Sequence, residues 1–314
     1  MISEPSQVAR GCACTRLGCM RIGITGASGL IGSALVTHLR QHGHDTVAFV
    51  RRATRSTAEI SWDPGADLDP AMLSGLDAIV HLAGAGVGDK RWTDNYKRVI
   101  LSSRVDGTRT IAEAMARSTD GPRVLVCGSA IGYYGDTGDR LTDETGPQGD
   151  GFLAEVVMQW EAAAGAAVDA GIRVAYARTG LVVSSEGGAW QRLFPIFRAG
   201  LGGKLGSGRQ YWSPISLTDE VRALTWLIMN EIEGPVNLVG PQPVTNGEVT
   251  RVMGEVLGRP TIFAVPGFAL KAVLGEFAQD TLASQRIDPA VLRAHGFDWR
   301  QPDIRSMIQT ARAA

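Results

Sequence analysis

From Met20 onward the apolar residues gather in short β-rich runs that alternate with longer helical stretches, the order expected of βαβ units built on a parallel sheet. The runs predict strands over 21–25, 46–51, 59–62, 78–82, 123–127 and 172–177. Between them the pattern predicts helices over 30–42, 93–117 and 153–170, each long enough to cross over a sheet and return in the right-handed sense. After about Gly180 the alternation loosens, interrupted by Gly187, Gly188, Gly200, Gly202, Gly203, Gly206 and Gly208. A smaller lobe is expected there. Within it, Thr245 and Glu248 form a capping box that opens a helix to about Leu257, and Thr218, followed by Asp219 and Glu220, opens another to about Asn230.

The expected fold is therefore α/β, a Rossmann-type doubly wound parallel sheet with a smaller C-terminal α/β lobe. Residues 20–235 would form the dinucleotide-binding domain, with lobe elements from about 180, and residues 236–314 the small lobe, packed so that a substrate lies in the cleft between them. At 314 residues the chain can bury a full core, and 44% hydrophobic with 20% charged residues is ordinary for a globular protein. A net charge of -1 offers no basic field for nucleic acid, and no apolar run approaches the roughly 20 residues that span a bilayer. The expectation is a cytoplasmic protein, monomer or homodimer, with a small-molecule substrate and no nucleic-acid or membrane partner.

Residues 1–19 lack apolar periodicity and read as an extension outside the fold, disordered or set by an upstream start codon. They hold Cys12, Cys14 and Cys19, whose spacing matches no zinc pattern, so no metal site is expected.

The run Thr25-Gly26-Ala27-Ser28-Gly29-Leu30-Ile31-Gly32 leaves a strand and opens a helix, with glycines three apart. Gly26 permits a tight turn, Gly29 lets the backbone approach a pyrophosphate, and Gly32 lets the helix pack on the sheet, while the helix N-terminus offers free N–H groups to the phosphates. About twenty residues on, an NAD-preferring site carries Asp or Glu for the ribose 2′-hydroxyl. Here the positions are Arg51 and Arg52, which suit the 2′-phosphate of NADP(H) in preference to NAD(H) or, read plainly, are two solvated arginines at a strand end.

These residues resemble the extended short-chain dehydrogenase/reductase superfamily, and within it the atypical "epimerase family protein" branch. The resemblance is carried by the glycine run, His81-Leu82-Ala83-Gly84, Arg91-Trp92-Thr93 with Lys97, Ile100, Ser103-Arg104 and Thr108, then Gly128-Ser129-Ala130, Tyr133-Tyr134-Gly135, Trp160-Glu161 and Arg178-Thr179-Gly180. The stretch from Val265 through Leu274-Gly275, Gln285 and Gly296-Phe297 looks like the small domain of unknown function found in this branch. The resemblance implies NADP(H) contacts at Gly26, Ser28, Gly29, Leu30, Ile31 and Gly32, at Arg51 and Arg52, at Leu82, Ala83 and Gly84, and at Arg104.

Ordinary members of the superfamily use a Ser with a Tyr and a Lys four residues later as the proton-transfer group. The lysines are Lys90, Lys97, Lys204 and Lys271, and none follows a tyrosine by four; the segment where the pair belongs carries Phe152, Leu153, Val156 and Val157. The remaining catalytic candidates are Ser129, which could hydrogen-bond a substrate carbonyl, and Tyr133 or Tyr134 as proton donor. The alternative is that they shape a loop and fill core space. Asp136, Asp139 and Asp143 read as turn residues, His81 as structural and Asp219 as a helix cap. Where relatives tend to read Trp-Ile-His-Ile-Asp, this chain reads Pro214-Ile215-Ser216-Leu217-Thr218 before Asp219, so that histidine is missing. Two functions fit: an NADP(H)-dependent oxidoreductase or epimerase-like enzyme, and a non-catalytic NADP(H)-binding redox sensor or scaffold.

Overall fold

An exposed first residue followed by four buried ones marks Arg21–Thr25 as a strand covered on both faces, the signature of a central parallel strand. In the computed structural model, which describes residues 18–313, it is β1. There follow α1 (Leu30–Gln41), β2 (Asp45–Val50), β3 (Glu59–Ser61), β4 (Ala78–His81), α2 (Asp94–Arg117), β5 (Val124–Ala130), α3 (Phe152–Ala162), α4 (Gly165–Asp169) and β6 (Arg173–Thr179). The second half runs through β7 (Leu181–Val183), α5 (Gly188–Arg198), β8 (Gly203–Leu205), β9 (Tyr211–Trp212), β10 (Pro214–Ser216), α6 (Leu217–Met229) and β11 (Gly234–Leu238). It closes with β12 (Val244–Thr245), α7 (Asn246–Leu257), β13 (Phe263–Val265), α8 (Gly267–Leu274), α9 (Phe277–Leu282), α10 (Ala290–Ala294) and α11 (Ile304–Ala313).

Seven parallel strands form the main sheet in the order β11-β6-β5-β4-β1-β2-β3, so the strand order reverses between β1 and β4. In such sheets a ligand crosses the carboxyl edge at that switch point. One apolar layer joins Ile22, Ile24, Val80 and Val126 to Leu35 and Leu39 of α1 and Leu224 and Leu227 of α6; the opposite layer joins Ile79, Leu125 and Val174 to Ile111 and Met115 of α2 and Ala167 of α4. A third cluster, with Trp190, Phe194, Val249, Met253, Met307 and Ile308, is the core of the lobe built by α5, α7 and α11.

The differences from the sequence reading have local causes. β5 and β6 run further than expected, to Ala130 and Thr179, because they pair with each other to their ends, Ser129 opposite Arg178 and Ala130 opposite Thr179. The helix expected over 153–170 is two helices, broken around Ala163-Ala164-Gly165 where the glycine weakens the helix interior. The cap of α6 is Ser216 and not Thr218: the Ser216 hydroxyl accepts the N–H of Asp219 at 3.0 Å, so the helix starts two residues earlier. The edge strand β11 was hidden by its Gly234-Pro235 start, which an edge position tolerates. The division at residue 235 runs through this strand. Thr245 caps α7 as expected. Residues 1–17, with Cys12 and Cys14, lie outside the described residues; Cys19 is an exposed free thiol. Among the described residues no helix is long and apolar enough to cross a membrane, and no cluster of side chains could hold a metal ion.

Candidate functional site

The glycine run sits where β1 ends and α1 begins, at the strand-order reversal. Gly26 is in the left-handed region at φ 66°, and a Cβ there would lie 2.9 Å from the carbonyl carbon and oxygen of Leu82. A Cβ on Gly32 would run into the Gly26 carbonyl. Gly29 stands at the N-cap in extended backbone with no side chain capping the helix, and the first turn holds no acidic residue. The leading N–H groups of α1 therefore face outward without a built-in anion, beside exposed Ser28 and half-buried Leu30 and Ile31.

Below the loop, Thr25 ties β1 to β4. Its Oγ1 accepts the N–H groups of Leu82 at 3.0 Å and Ala83 at 3.1 Å and lies 2.9 Å from His81 Nδ1. With both lone pairs occupied, the hydroxyl proton goes to Nδ1, which leaves His81 neutral with its own proton on Nε2. Burial agrees, pushing the imidazole down to about 4. His81 thus plays a structural part: by taking the Thr25 proton it fixes the hydroxyl that holds Leu82 and Ala83.

Gly84 borders Arg104, whose Nη1 donates to the carbonyls of Ala85 at 2.9 Å and Ile100 at 3.0 Å while the guanidinium covers Trp160 at 5.1 Å. Burial lowers its pKa to about 10, and among the described residues no carboxylate pairs with it. A half-buried cation with no ion pair among the described residues, beside a loop at the carboxyl edge, fits an anionic ligand. At the end of β2, Arg52 is committed: Nη1 and Nη2 reach Glu59 at 2.9 and 2.7 Å, and Nη1 also donates to the Ala53 carbonyl. Arg51 is exposed, with no ion pair among the described residues.

The three candidate catalytic side chains converge at the ends of β5 and β6, but two of them turn inward. The Ser129 hydroxyl donates to Glu161 at 2.6 Å, and Glu161 receives Arg178 through Nε and Nη2, both at 2.8 Å. Arg178 also donates to the Tyr134 hydroxyl at 2.9 Å, which in turn donates to Asn237 of β11 at 2.8 Å. Tyr134 is 1% exposed, and burial pushes its phenol up to about 12. Extension of β5 to Ala130 aims Ser129 at α3, and the network engages both the Ser129 and the Tyr134 hydroxyls. Tyr133 differs: it is half-buried, and the Arg178 guanidinium stacks 3.6 Å from its ring centre. On α3, Leu153 and Val157 face Gly132, whose Cβ would stand 3.5 and 3.9 Å from them, so hydrocarbon occupies the face that meets this turn.

Glu161 and Arg178 were visible in the sequence as marks without a role, and Glu59 was not singled out at all. Asp219 is not a cap: fully buried, it accepts the N–H groups of Arg300 at 2.9 Å and Gln301 at 2.8 Å and pins the C-terminal segment. Asp136 and Asp143 are turn residues, accepting N–H groups two positions on.

A family model described as the NAD dependent epimerase/dehydratase family matches residues 22–240, the whole of this sheet and its carboxyl edge. The chain belongs to that family. A second model, a domain of unknown function (DUF1731), matches residues 265–311 of this family member. The epimerase family chain is 44% identical over 286 residues to an epimerase family protein of Mycobacterium tuberculosis, covering 90% of this chain and 94% of that one. It is similar to the crystal structure of human epimerase family protein SDR39U1 (isoform 2) with NADPH, at TM-score 0.87 and 30% identity over 94% of this chain and 100% of that one. A nucleoside-diphosphate sugar epimerase from Corynebacterium glutamicum matches at TM-score 0.78 and 34% identity, over 93% of this chain and 59% of that one.

Proposed function

We propose that the chain binds NADP(H) along the carboxyl edge of its sheet and uses it in hydride transfer with a small polar substrate held beside the C-terminal lobe. The observation that carries this reading is the β1–α1 turn, where the absence of a Cβ at Gly26 and Gly32 lets the backbone pack tightly on Leu82 and on the Gly26 carbonyl, and the α1 N–H groups are left without a capping side chain. The N–H groups of residues 28–31 would hold the pyrophosphate, Leu82 to Gly84 would border the ribose, and Arg104 would steady the Gly84-Ala85 turn. Arg51, with the uncommitted edge of Arg52, would meet the 2′-phosphate. That preference for NADP(H) over NAD(H) is supported by the NADPH of the human relative, while more distant neighbours of the same fold are described with NAD.

Bound nicotinamide supplies the hydride chemistry; the chain's own residues must move the proton and exclude water. Tyr133 is the group at hand for the proton, since its hydroxyl makes no hydrogen bond among the described residues and Arg178 backs its ring. Leu153 and Val157 keep water from the inner side of the turn. A second reading, a non-catalytic NADP(H)-binding sensor, is favoured by the same apolar pair and by the closure of the Ser129 and Tyr134 hydroxyls into the inward network.

NADPH consumption is followed by absorbance with a panel of aldehydes, ketones and nucleotide sugars, alongside direct NADPH titration. Turnover that drops about a hundredfold in Tyr133→Phe at unchanged NADPH affinity supports the enzyme reading. Tight binding without turnover across the panel favours the sensor, and absence of binding refutes both.

A further inference from the structure

Two arginines follow β2, yet the structure treats them differently. Loop 51–58 closes around one carboxylate: Glu59, the first residue of β3, accepts Arg52 Nη2 on Oε1 at 2.7 Å, and on Oε2 both Arg52 Nη1 at 2.9 Å and the N–H of Arg55 at 2.7 Å. With Nη1 also bound to the Ala53 carbonyl, the donors of Arg52 left over are Nε–H and the outer Nη2–H. These lie side by side on one edge of the planar guanidinium, a geometry that accepts two phosphate oxygens. So Arg52 can still meet a phosphate, but its charge is already matched by Glu59, whereas Arg51 has no ion pair among the described residues.

We propose that Glu59 is the residue that sets the discrimination between NADP(H) and NAD(H): its carboxylate orients Arg52 edge-on and at the same time opposes the 2′-phosphate, holding the preference below what two free arginines would give. This rests on the NADP(H) reading of the site. A phosphomonoester carries close to two negative charges at neutral pH, whereas the 2′-hydroxyl of NAD(H) carries none, so a carboxylate beside the site penalises only the first.

The test is titration of NADPH and of NADH, followed by nicotinamide fluorescence, into the wild-type chain, Glu59→Gln, Arg52→Ala and the double variant Arg52→Ala/Glu59→Gln. Glu59→Gln is expected to tighten NADPH about three- to tenfold and to leave NADH within about twofold, with the gain shrinking at high salt. The double variant removes dependence on an intact loop, because Arg52→Ala has already broken the pair; it should bind NADPH more tightly than Arg52→Ala alone. NADPH affinity unchanged or weaker on adding Glu59→Gln to Arg52→Ala overturns the inference while leaving the cofactor reading in place. A wild-type chain that binds neither nucleotide overturns the cofactor reading and this inference with it.

Discussion

Glu220 makes the energetics of the sheet edge measurable. It is fully buried on α6, accepts the Thr179 hydroxyl at 2.8 Å through Oε1, and among the described residues its Oε2 has no partner. Burial pushes its pKa from 4.5 to about 8, against the smaller opposing effect of the Thr179 hydrogen bond. The folded chain therefore keeps a proton that the unfolded chain releases. The stability this confers is complete below the unfolded value and is lost as pH rises through about 8. At about 1.4 kcal/mol per unit, the difference between about 8 and 4.5 sets a ceiling of roughly 5 kcal/mol; local relaxation around a buried charge brings the working figure to about 2–3 kcal/mol. Glu220→Gln keeps the oxygen for Thr179 and removes the titration. Its stability should lie within about 1 kcal/mol of wild type near pH 5 and exceed it by about 2–3 kcal/mol near pH 9. Urea denaturation followed by circular dichroism across that range reads the difference directly. Parallel curves for the two proteins, with a constant offset at every pH, would refute the argument.

Thr25→Val removes the acceptor shared by Leu82 and Ala83 and the proton donated to His81; it should destabilise the chain by about 2–3 kcal/mol and weaken NADPH, with Thr25→Ser near wild type in thermal melts and titrations. If Thr25→Ser fails as badly as Thr25→Val, the hydroxyl is not the cause. Arg51→Asp combined with Arg52→Ala should weaken NADPH far more than NADH in the same titrations, and equal losses would sink the 2′-phosphate argument. Glu161→Gln leaves the Arg178 guanidinium, 4% exposed in its side chain, without its counter-charge; a loss of about 3 kcal/mol in urea denaturation is expected, and a loss below about 1 kcal/mol counts against a tightly coupled network.

What the sequence makes legible is what is local. The cradle lies within eight consecutive residues and needs only backbone freedom at fixed spacing, so Gly26, Gly29 and Gly32 could be read without knowing any partner. The same holds for Thr245, whose cap bond spans three residues. Pairings between strands are another matter. Ser129 meets Glu161 and Arg178 only because β5 and β6 lie side by side and run on to Ala130 and Thr179; a reading that ends the strand at Cys127 leaves the hydroxyl pointing nowhere in particular. Arg52 looks free in the sequence because Glu59 is not one helical turn away but across a loop, on the next strand. Ser216 and Thr218 are equally good caps by composition, and the choice was made by β10, which pairs with β7 up to Ser216 itself.

The position of β11 has a practical side. Because this strand follows α6 and still completes the sheet, and because Thr142 and Ile287 bridge while Asp219 holds Arg300 and Gln301, the two family segments share one body. A shortened chain ending at residue 235 would strip the end of β6 of its neighbour and present the unpaired backbone of Ala177, Arg178 and Thr179 to the next molecule in solution. The fragment that the sequence invites one to express alone is thus the form of this protein most exposed to edge-to-edge aggregation.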